Sequence, residues 1–471
     1  MNAMPDTQAF DLIVVGGGIA GLAAANRAAE QGLRVVLLER GTDERYLCNS
    51  RLAGGVLHVA FRNIRDRPEA LIEAVRAATK DQANPDLTRA LAHTSARAGE
   101  WIKSQGVKFV RMSLAVDWQS WVMAPPRRIM AGMDWYGRGA DYTLRLLARN
   151  LLARGGRIIQ GAAAVSLMER AGACVGVEIR RQGDVSQLPA SAVVLADGGF
   201  QGNLALLGQH ISGAPEKLKQ RGAATGVGDG LRMAQAFGAE IADLSYFYGH
   251  LLSRDAFDNP RTWPYPQLDE LGVAGVMVGA DGRRFADEGL GGVQLANAVA
   301  KLEDPLSAWA VFDSAIWEGP GRNARIPVNP HLVRAGGTII QADTLAELAS
   351  RTGLPAQALQ ETIAAHRQAV ISGQFQQLDP PRSRPAGQAW AVDHPPYFAA
   401  PVCAGITYTM GGIAIDEHAR VRSTRGVPVA GLYAAGANTA GLEGRQGATY
   451  IGGLMKGLVF GIRAAEHVAK A

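Results

Sequence analysis

The 471-residue chain predicts an α/β fold of two domains, and three features carry that prediction. Its length exceeds what one hydrophobic core usually serves. Its N-terminus reads as strand, glycine-rich turn, helix and strand, the order of a parallel βαβ unit. Near the C-terminus another apolar run reads as a buried strand followed by a glycine-broken loop.

The first element is DLIVV, Asp11 to Val15, a short apolar run of the kind buried in a parallel sheet. GGGIAG follows, with Gly16, Gly18 and Gly21 at the G-x-G-x-x-G positions and Ala20 just before the last. The Ala-rich LAAANRAAEQG is helix-compatible throughout. A second apolar run, Arg34 to Leu38, ends in Glu39 and Arg40. This is a Rossmann-like unit. Gly16 permits the tight turn, Gly18 lets a pyrophosphate approach backbone, and Gly21 lets helix and strand pack closely. The helix N-terminus presents N–H groups and a positive dipole end to phosphates. Glu39, eighteen residues beyond Gly21, is placed to accept hydrogen bonds from ribose hydroxyls, and its charge disfavours a 2′-phosphate.

Two further segments point to FAD rather than NAD. CNSRLAGG, Cys48 to Gly55, offers Asn49, Ser50, Gly54 and Gly55. GLYAAGANTAG, Gly431 to Gly441, reads as a buried strand running into a loop that holds Gly436 and Ala437. A dinucleotide carrying an isoalloxazine ring needs contacts from such distant parts of a chain.

Composition narrows the classes. Hydrophobic residues at 47% and charged residues at 19% suit a soluble globular enzyme. A net charge of +5, with basic residues scattered, gives no footing to nucleic-acid binding. Cys48, Cys174 and Cys403 form no CxxC pair, so neither a disulfide framework, a metal site nor an iron–sulfur cluster within the chain is expected. The start, MNAMPDTQAF, lacks the pattern of a secretory signal, and no run of about 18 apolar residues suggests a membrane span. A cytoplasmic location is the expectation.

Seven segments in order now bear on kinship: GGGIAGLAAA, NSRLAGG, VVLADGGFQGN (Val193 to Asn203), TGVGDGLRMAQAFGAEIADL (Thr225 to Leu244), VGADGRRFADEG (Val278 to Gly289), YTMGGIAID (Tyr408 to Asp416) and GLYAAG. Over nearly its full length the chain resembles the FAD-dependent flavoproteins of the fumarate reductase and succinate dehydrogenase superfamily. The resemblance implies a discontinuous Rossmann-like FAD-binding domain, residues 1–244 and 391–471, with an inserted α+β capping domain at 245–390. DPPRSRP, Asp379 to Pro385, reads as the turn-rich crossing back. It also implies that Ala196, Asp197, Gly198, Gly452, Gly453 and Leu454 lie beside the cofactor.

Departures from the family pattern narrow the chemistry. In the dicarboxylate-reducing members an arginine four residues beyond the GxRFxxE glutamate delivers the proton; Gly292 stands there in this chain. A histidine before their TMGG segment is here Tyr408, and the substrate-clamping arginine before the late glycine pair is here Tyr450. Of that set only the histidine aligned with His250 persists. A charged hydrogen bond contributes about 1.5–3 kcal/mol, so these losses should cripple binding of a C4-dicarboxylate. The pattern is closer to the branch of FAD-dependent tricarballylate dehydrogenase and its cobalamin-pathway relative, and it is similar to 3-ketosteroid dehydrogenases in the tyrosines near the flavin. Covalently flavinylated members carry a histidine where Ser50 stands, so the FAD is expected to be noncovalent.

The implied activity is dehydrogenation of a C–C bond next to a carboxylate or carbonyl, or the reverse reduction, on a small-molecule substrate. Tyr450 and Tyr408 are candidates to orient substrate or exchange its proton, though either could be a core aromatic. His250 is a candidate hydrogen-bond donor to a carboxylate or carbonyl. Arg445 could clamp a carboxylate, or simply face solvent. Arg284 and Glu288 could form an ion pair ordering the cap edge, or a proton relay. Two alternatives stay open: an electron-transfer subunit working with an iron–sulfur partner protein, and a flavin-dependent step in tetrapyrrole synthesis.

Overall fold

The two apolar runs that flank the glycine turn form β1 (Phe10–Val15) and β2 (Val35–Glu39), and the alanine-rich segment between them forms α1 (Ile19–Glu30). Leu12, Ile13, Val14, Val36 and Leu37 are fully buried, as a sheet covered on both faces demands. The computed structural model describes residues 9–113, 116–125, 137–324, 326–383, 389–443 and 449–471. It divides into two units: Met1–Asn203, Gly222–Tyr246 and Tyr408–Ala471 in one, Leu204–Arg221 and Phe247–Thr407 in the other.

The first unit is built on a sheet with the order Arg420–Arg422, Pro428–Ala434, Asp184–Leu195, β1, β2, Arg157–Gln160. The four strands from Pro428–Ala434 to β2 run parallel, with Val15 opposite both Leu38 and Leu195, and Ala434 opposite Leu195. Three carboxyl ends therefore finish level. The loops that leave them begin at Gly16, Ala196 and Ala435, on one edge of the sheet, which is where open α/β sheets bind ligands. The C-terminal helix Gly453–Val468 packs on α1 through small residues: a Cβ on Gly461 would fall 2.4 Å from the Ala20 carbonyl oxygen.

The second unit holds antiparallel pairing. Trp309–Asp313 pairs with Val276–Val278 on one side and with Tyr397–Pro401 on the other, and Ile340–Ala342 pairs with the same long strand. This differs from the expected boundaries of 245–390 in two places. Tyr397–Ile413 is one continuous 17-residue strand, and its first half belongs to this antiparallel sheet, so the chain returns inside the strand and not at the DPPRSRP turn. The two-residue strand Lys219–Gln220 pairs with Gly405 and Ile406, which draws 204–221 into the same unit. Among the described residues no helix is long and apolar enough to cross a membrane.

Candidate functional site

In the first unit the glycine turn is shaped by contacts at every position. Gly16 has φ +101°, and a Cβ there would fall 2.6 Å from the Ala196 carbonyl oxygen, where the neighbouring loop crosses. A Cβ on Gly21 would meet the Gly16 carbonyl oxygen at 1.9 Å, so α1 could not begin so close to β1 with any other residue. Glu39 closes the turn from β2. Its carboxylate accepts from Gly17 N–H at 2.9 Å and Gly41 N–H at 2.7 Å, and burial pushes its pKa up. A carboxylate has about four acceptor sites, so two remain for ribose hydroxyls. Tyr46, which the sequence did not single out, donates its hydroxyl to the Gly17 carbonyl at 2.7 Å.

Ser50 Oγ accepts from Ile19 N–H at 3.0 Å, filling the cap that Gly18 cannot supply at the start of α1. Asn49 Oδ1 accepts from Ala223 N–H at 2.5 Å. Gly54 and Gly198 face open space, with nothing within 4 Å of where a Cβ would stand. Asp197 is engaged by protein: Gly230 N–H donates to it at 2.7 Å and the Asn438 amide at 2.9 Å, while burial pushes its pKa up to about 6. It holds the loops carrying Gly198 and Ala437. Arg40 does not turn toward the glycine loop; its guanidinium pairs with Asp229 at 3.0 Å and with the Thr225 carbonyl. Ala20 is a packing residue, 3.1 Å from a Cβ built on Gly436.

These residues fit FAD. Open space beside two glycines, a turn that admits no Cβ at Gly16 or Gly21, and a carboxylate with spare acceptors suit an extended dinucleotide. Gly16, Gly18, Gly21 and Ser50 would hold the pyrophosphate and Glu39 the ribose. Gly54, Gly55, Gly198, Gly436, Ala437 and the Gly452–Leu454 turn would lie toward the isoalloxazine.

Around that last turn the structure adds residues that sequence reasoning missed. Tyr450 stands just before the glycine pair Gly452–Gly453, which supplies no side chain to pack on it. Instead its ring stands edge-on to His58 (centroids 5.3 Å apart) and near Phe61 (6.2 Å), and His58 also meets Trp118 at 5.2 Å. The segments are zipped by Ala60 N–H to the Ile451 carbonyl at 2.8 Å. His58 Nδ1 accepts from Phe61 N–H at 3.1 Å, and burial lowers its pKa to about 4, so the ring is neutral. Tyr408 is buried, and its hydroxyl donates to Glu443 Oε1 at 3.2 Å. Ile451 N–H shares that oxygen at 3.2 Å, and Lys456 Nζ meets Glu443 Oε2 at 3.0 Å. Sequence spacing marks neither Glu443 nor Lys456. Arg445 lies outside the described residues.

The second unit holds its own polar cluster. His250 Nδ1 pairs with Asp269 Oδ2, and its Nε2 is 3.0 Å from the Tyr248 hydroxyl. Burial lowers the His250 pKa; Asp269 opposes that shift, and the Arg221 charge adds to it. Arg221 itself hydrogen-bonds Thr407 Oγ1 at 3.0 Å and lies over the Tyr265 ring. Arg254 turns away, to the Ala308 carbonyl and over Trp309. Arg284 and Glu288 form a buried bidentate pair at 2.5 and 3.1 Å, and Arg382 adds a third member at 3.2 Å from Glu288 Oε2. Met277 N–H occupies Glu288 Oε1 as well, so this carboxylate is an ordering element of the unit.

A family model described as an FAD binding domain matches residues 11–448. The chain is 26% identical over 476 residues to the fumarate reductase (cytochrome) of Shewanella frigidimarina, covering 98% of this chain and 77% of that protein. It is 26% identical over 520 residues to the 4-oxocyclohexanecarboxylate 2-dehydrogenase of Sinomonas cyclohexanicum, covering 91% and 87%. Among solved structures, the 3-ketosteroid-Δ4-(5α)-dehydrogenase of Rhodococcus jostii RHA1 superposes with a TM-score of 0.73 at 22% identity, over 99% of this chain and 98% of that one, a likeness of fold.

Proposed function

This chain belongs to the FAD binding domain family, among the flavoproteins of the fumarate reductase and succinate dehydrogenase superfamily, and from that premise we propose the bond and substrate class on which it acts. It is an FAD-dependent oxidoreductase acting on CH–CH groups. The proposed substrate is a ring ketone or oxo acid whose C–C bond lies next to the carbonyl, and a C4-dicarboxylate is not favoured. A tricarballylate-like polycarboxylate stays within the same bond chemistry. Bound FAD would supply hydride acceptance; the protein binds, orients and manages the proton.

The observation that supports this most is the setting of Tyr450. Where a dicarboxylate enzyme clamps its substrate with a guanidinium, this chain sets a phenol against His58 and Phe61, with His58 held neutral. A phenol donates one hydrogen bond to a carbonyl oxygen and brings no countercharge for a carboxylate. Tyr450 is thus assigned to the substrate carbonyl. Tyr408 is assigned to placing the turn, because its proton is directed at Glu443. His250 is assigned to proton handling. Electrons leave through an acceptor outside the chain, either a small molecule or an electron-transfer partner protein.

The test is anaerobic titration of the FAD-loaded protein with 4-oxocyclohexanecarboxylate, a 3-ketosteroid, 2-oxo acids, tricarballylate and succinate, following the flavin absorption band. Bleaching by an oxo compound, with none by succinate and no dye oxidation by fumarate, is the expected result. Bleaching by succinate alone would overturn the proposal.

A further inference from the structure

Alternate residues of a strand share a face, so Tyr248 and His250 of Ile241–Ser253 stand side by side, ring centroids 5.1 Å apart and edge-on. Between them Gly249 leaves no room for a side chain: a Cβ there would fall 2.2 Å from the Gly405 carbonyl oxygen. The segment before the helix Asp269–Ala274 then returns alongside. Leu268 N–H donates to the Leu251 carbonyl at 2.8 Å, and Leu251 N–H donates to Asp269 Oδ1 at 2.8 Å. With one oxygen held by backbone, Asp269 presents the other to His250 Nδ1. The helix Gly292–Ala300 begins against this carboxylate, and a Cβ on Gly292 would lie 2.2 Å from Asp269 Cγ. Asp269 fills the space that any side chain at position 292 would need.

The hydrogen-bond directions follow from the donor inventory. A carboxylate only accepts, so the imidazole proton sits on Nδ1 and faces Asp269. Nε2 keeps its lone pair, and the Tyr248 hydroxyl, 3.0 Å away, donates to it. We propose that Tyr248, His250 and Asp269 form a proton relay in which Tyr248 exchanges a proton with the carbon next to a substrate carbonyl and Asp269 is the positioning residue. This rests on the proposed oxo substrate. In the forward step the substrate C–H bond breaks and its proton goes to the Tyr248 oxygen. The phenol's own proton passes to His250 Nε2, and the C–H electron pair moves into the carbonyl as an enolate. The imidazolium that forms lies against the Asp269 carboxylate, which stabilises it without taking its proton. Arg221 helps to keep His250 neutral, and so able to accept, before the step.

Proton exchange can be read apart from redox turnover. The probes are 4-oxocyclohexanecarboxylate and a saturated 3-ketosteroid, in D₂O, with the FAD-loaded protein reduced by dithionite so that it can take no hydride. Loss of the proton signal next to the carbonyl is followed by NMR. The protein should accelerate exchange, and Tyr248→Phe and Asp269→Asn should each lower that acceleration at least ~10-fold, against the ~10²–10⁴-fold usual for general acid–base catalysis. A ¹⁵N-histidine spectrum supplies a readout that a merely structural role would not move. His250 should carry its proton on Nδ1 in the native protein and in Asp269→Glu, and lose that preference in Asp269→Asn. A native His250 protonated on Nε2, or exchange indifferent to Tyr248→Phe, overturns the relay. Flavin bleaching by either probe without any exchange also overturns it, while leaving the proposed function standing. No bleaching by any oxo compound overturns both.

Discussion

Removing the Lys456 ammonium should unsettle the first unit far more than removing both members of its ion pair. Lys456 Nζ and Glu443 Oε2 are 3.0 Å apart, with side chains 1% and 0% exposed. At that distance an effective dielectric near 20 gives an attraction of about 5 kcal/mol. Lys456→Met keeps the length and apolar bulk but strands a buried carboxylate on the Tyr408 hydroxyl and Ile451 N–H alone. Breaking one side of a buried pair typically costs about 3–5 kcal/mol. For a unit of this size about 2 °C of melting temperature is lost per kcal/mol, so the variant should melt about 6–10 °C lower. The double variant Glu443→Gln/Lys456→Met removes both charges, and its amide oxygen still accepts from Tyr408 and Ile451. It should recover more than half of the loss, the non-additivity expected of groups in direct contact. Thermal melts of the FAD-loaded native, single and double variants measure this. A single-variant loss under about 1 kcal/mol, or a double variant as unstable as the sum of its parts, would refute the reasoning.

With Ser50 where flavinylated relatives carry histidine, acid precipitation should release all the flavin and leave a colourless pellet; yellow pellet protein would count against a noncovalent cofactor. Tyr450→Phe retains the ring packed on His58 and Phe61, so melting should hardly change. Loss of a donor to a developing oxyanion should slow flavin reduction by about 10²–10³-fold in stopped flow, and less than threefold slowing with FAD intact would remove Tyr450 from the chemistry. Buried His58 and His366 each have a pKa lowered by desolvation from the ordinary 6.5 to about 4. The folded state disfavours their charged forms, so stability should be full above about pH 6.5. It should fall by up to about 1.4 kcal/mol per histidine for each pH unit down to about 4. His58→Gln should flatten that slope in urea titrations across this range, and an unchanged slope would show that the ring is not held neutral.

The parts of the fold that were legible in the sequence are those whose cause is local. β1, α1 and β2 follow from apolar runs of strand length around a glycine turn, and Glu39 from its place at the end of the second run. Gly16 and Gly21 could be given their jobs in advance because backbone approach excludes any Cβ at either position. The return of the chain to the first unit was misplaced because Asp379 to Pro385 carries strong turn signals. Strand pairing is a contact between distant segments and leaves no such mark: Tyr397 and Phe398 go with Asp313 and Phe312 only because those strands meet.

The candidate site divides the same way. Residue type and motif position alone named Tyr450, Tyr408 and His250 and replaced two arginines and a histidine of the dicarboxylate pattern, which settles much about charge. They could not supply the partners. Glu443 meets Tyr408 from 35 residues away, Asp269 meets His250 from 19, and His58 reaches Tyr450 across most of the chain. None of these spacings is a helix or strand period. Proton direction depends on which atom accepts from which, and burial decides which groups stay neutral. Both are properties of packed neighbours, so chemistry on individual residues was readable from the sequence, while their assembly into an oriented hydrogen-bond chain was decided by the tertiary structure.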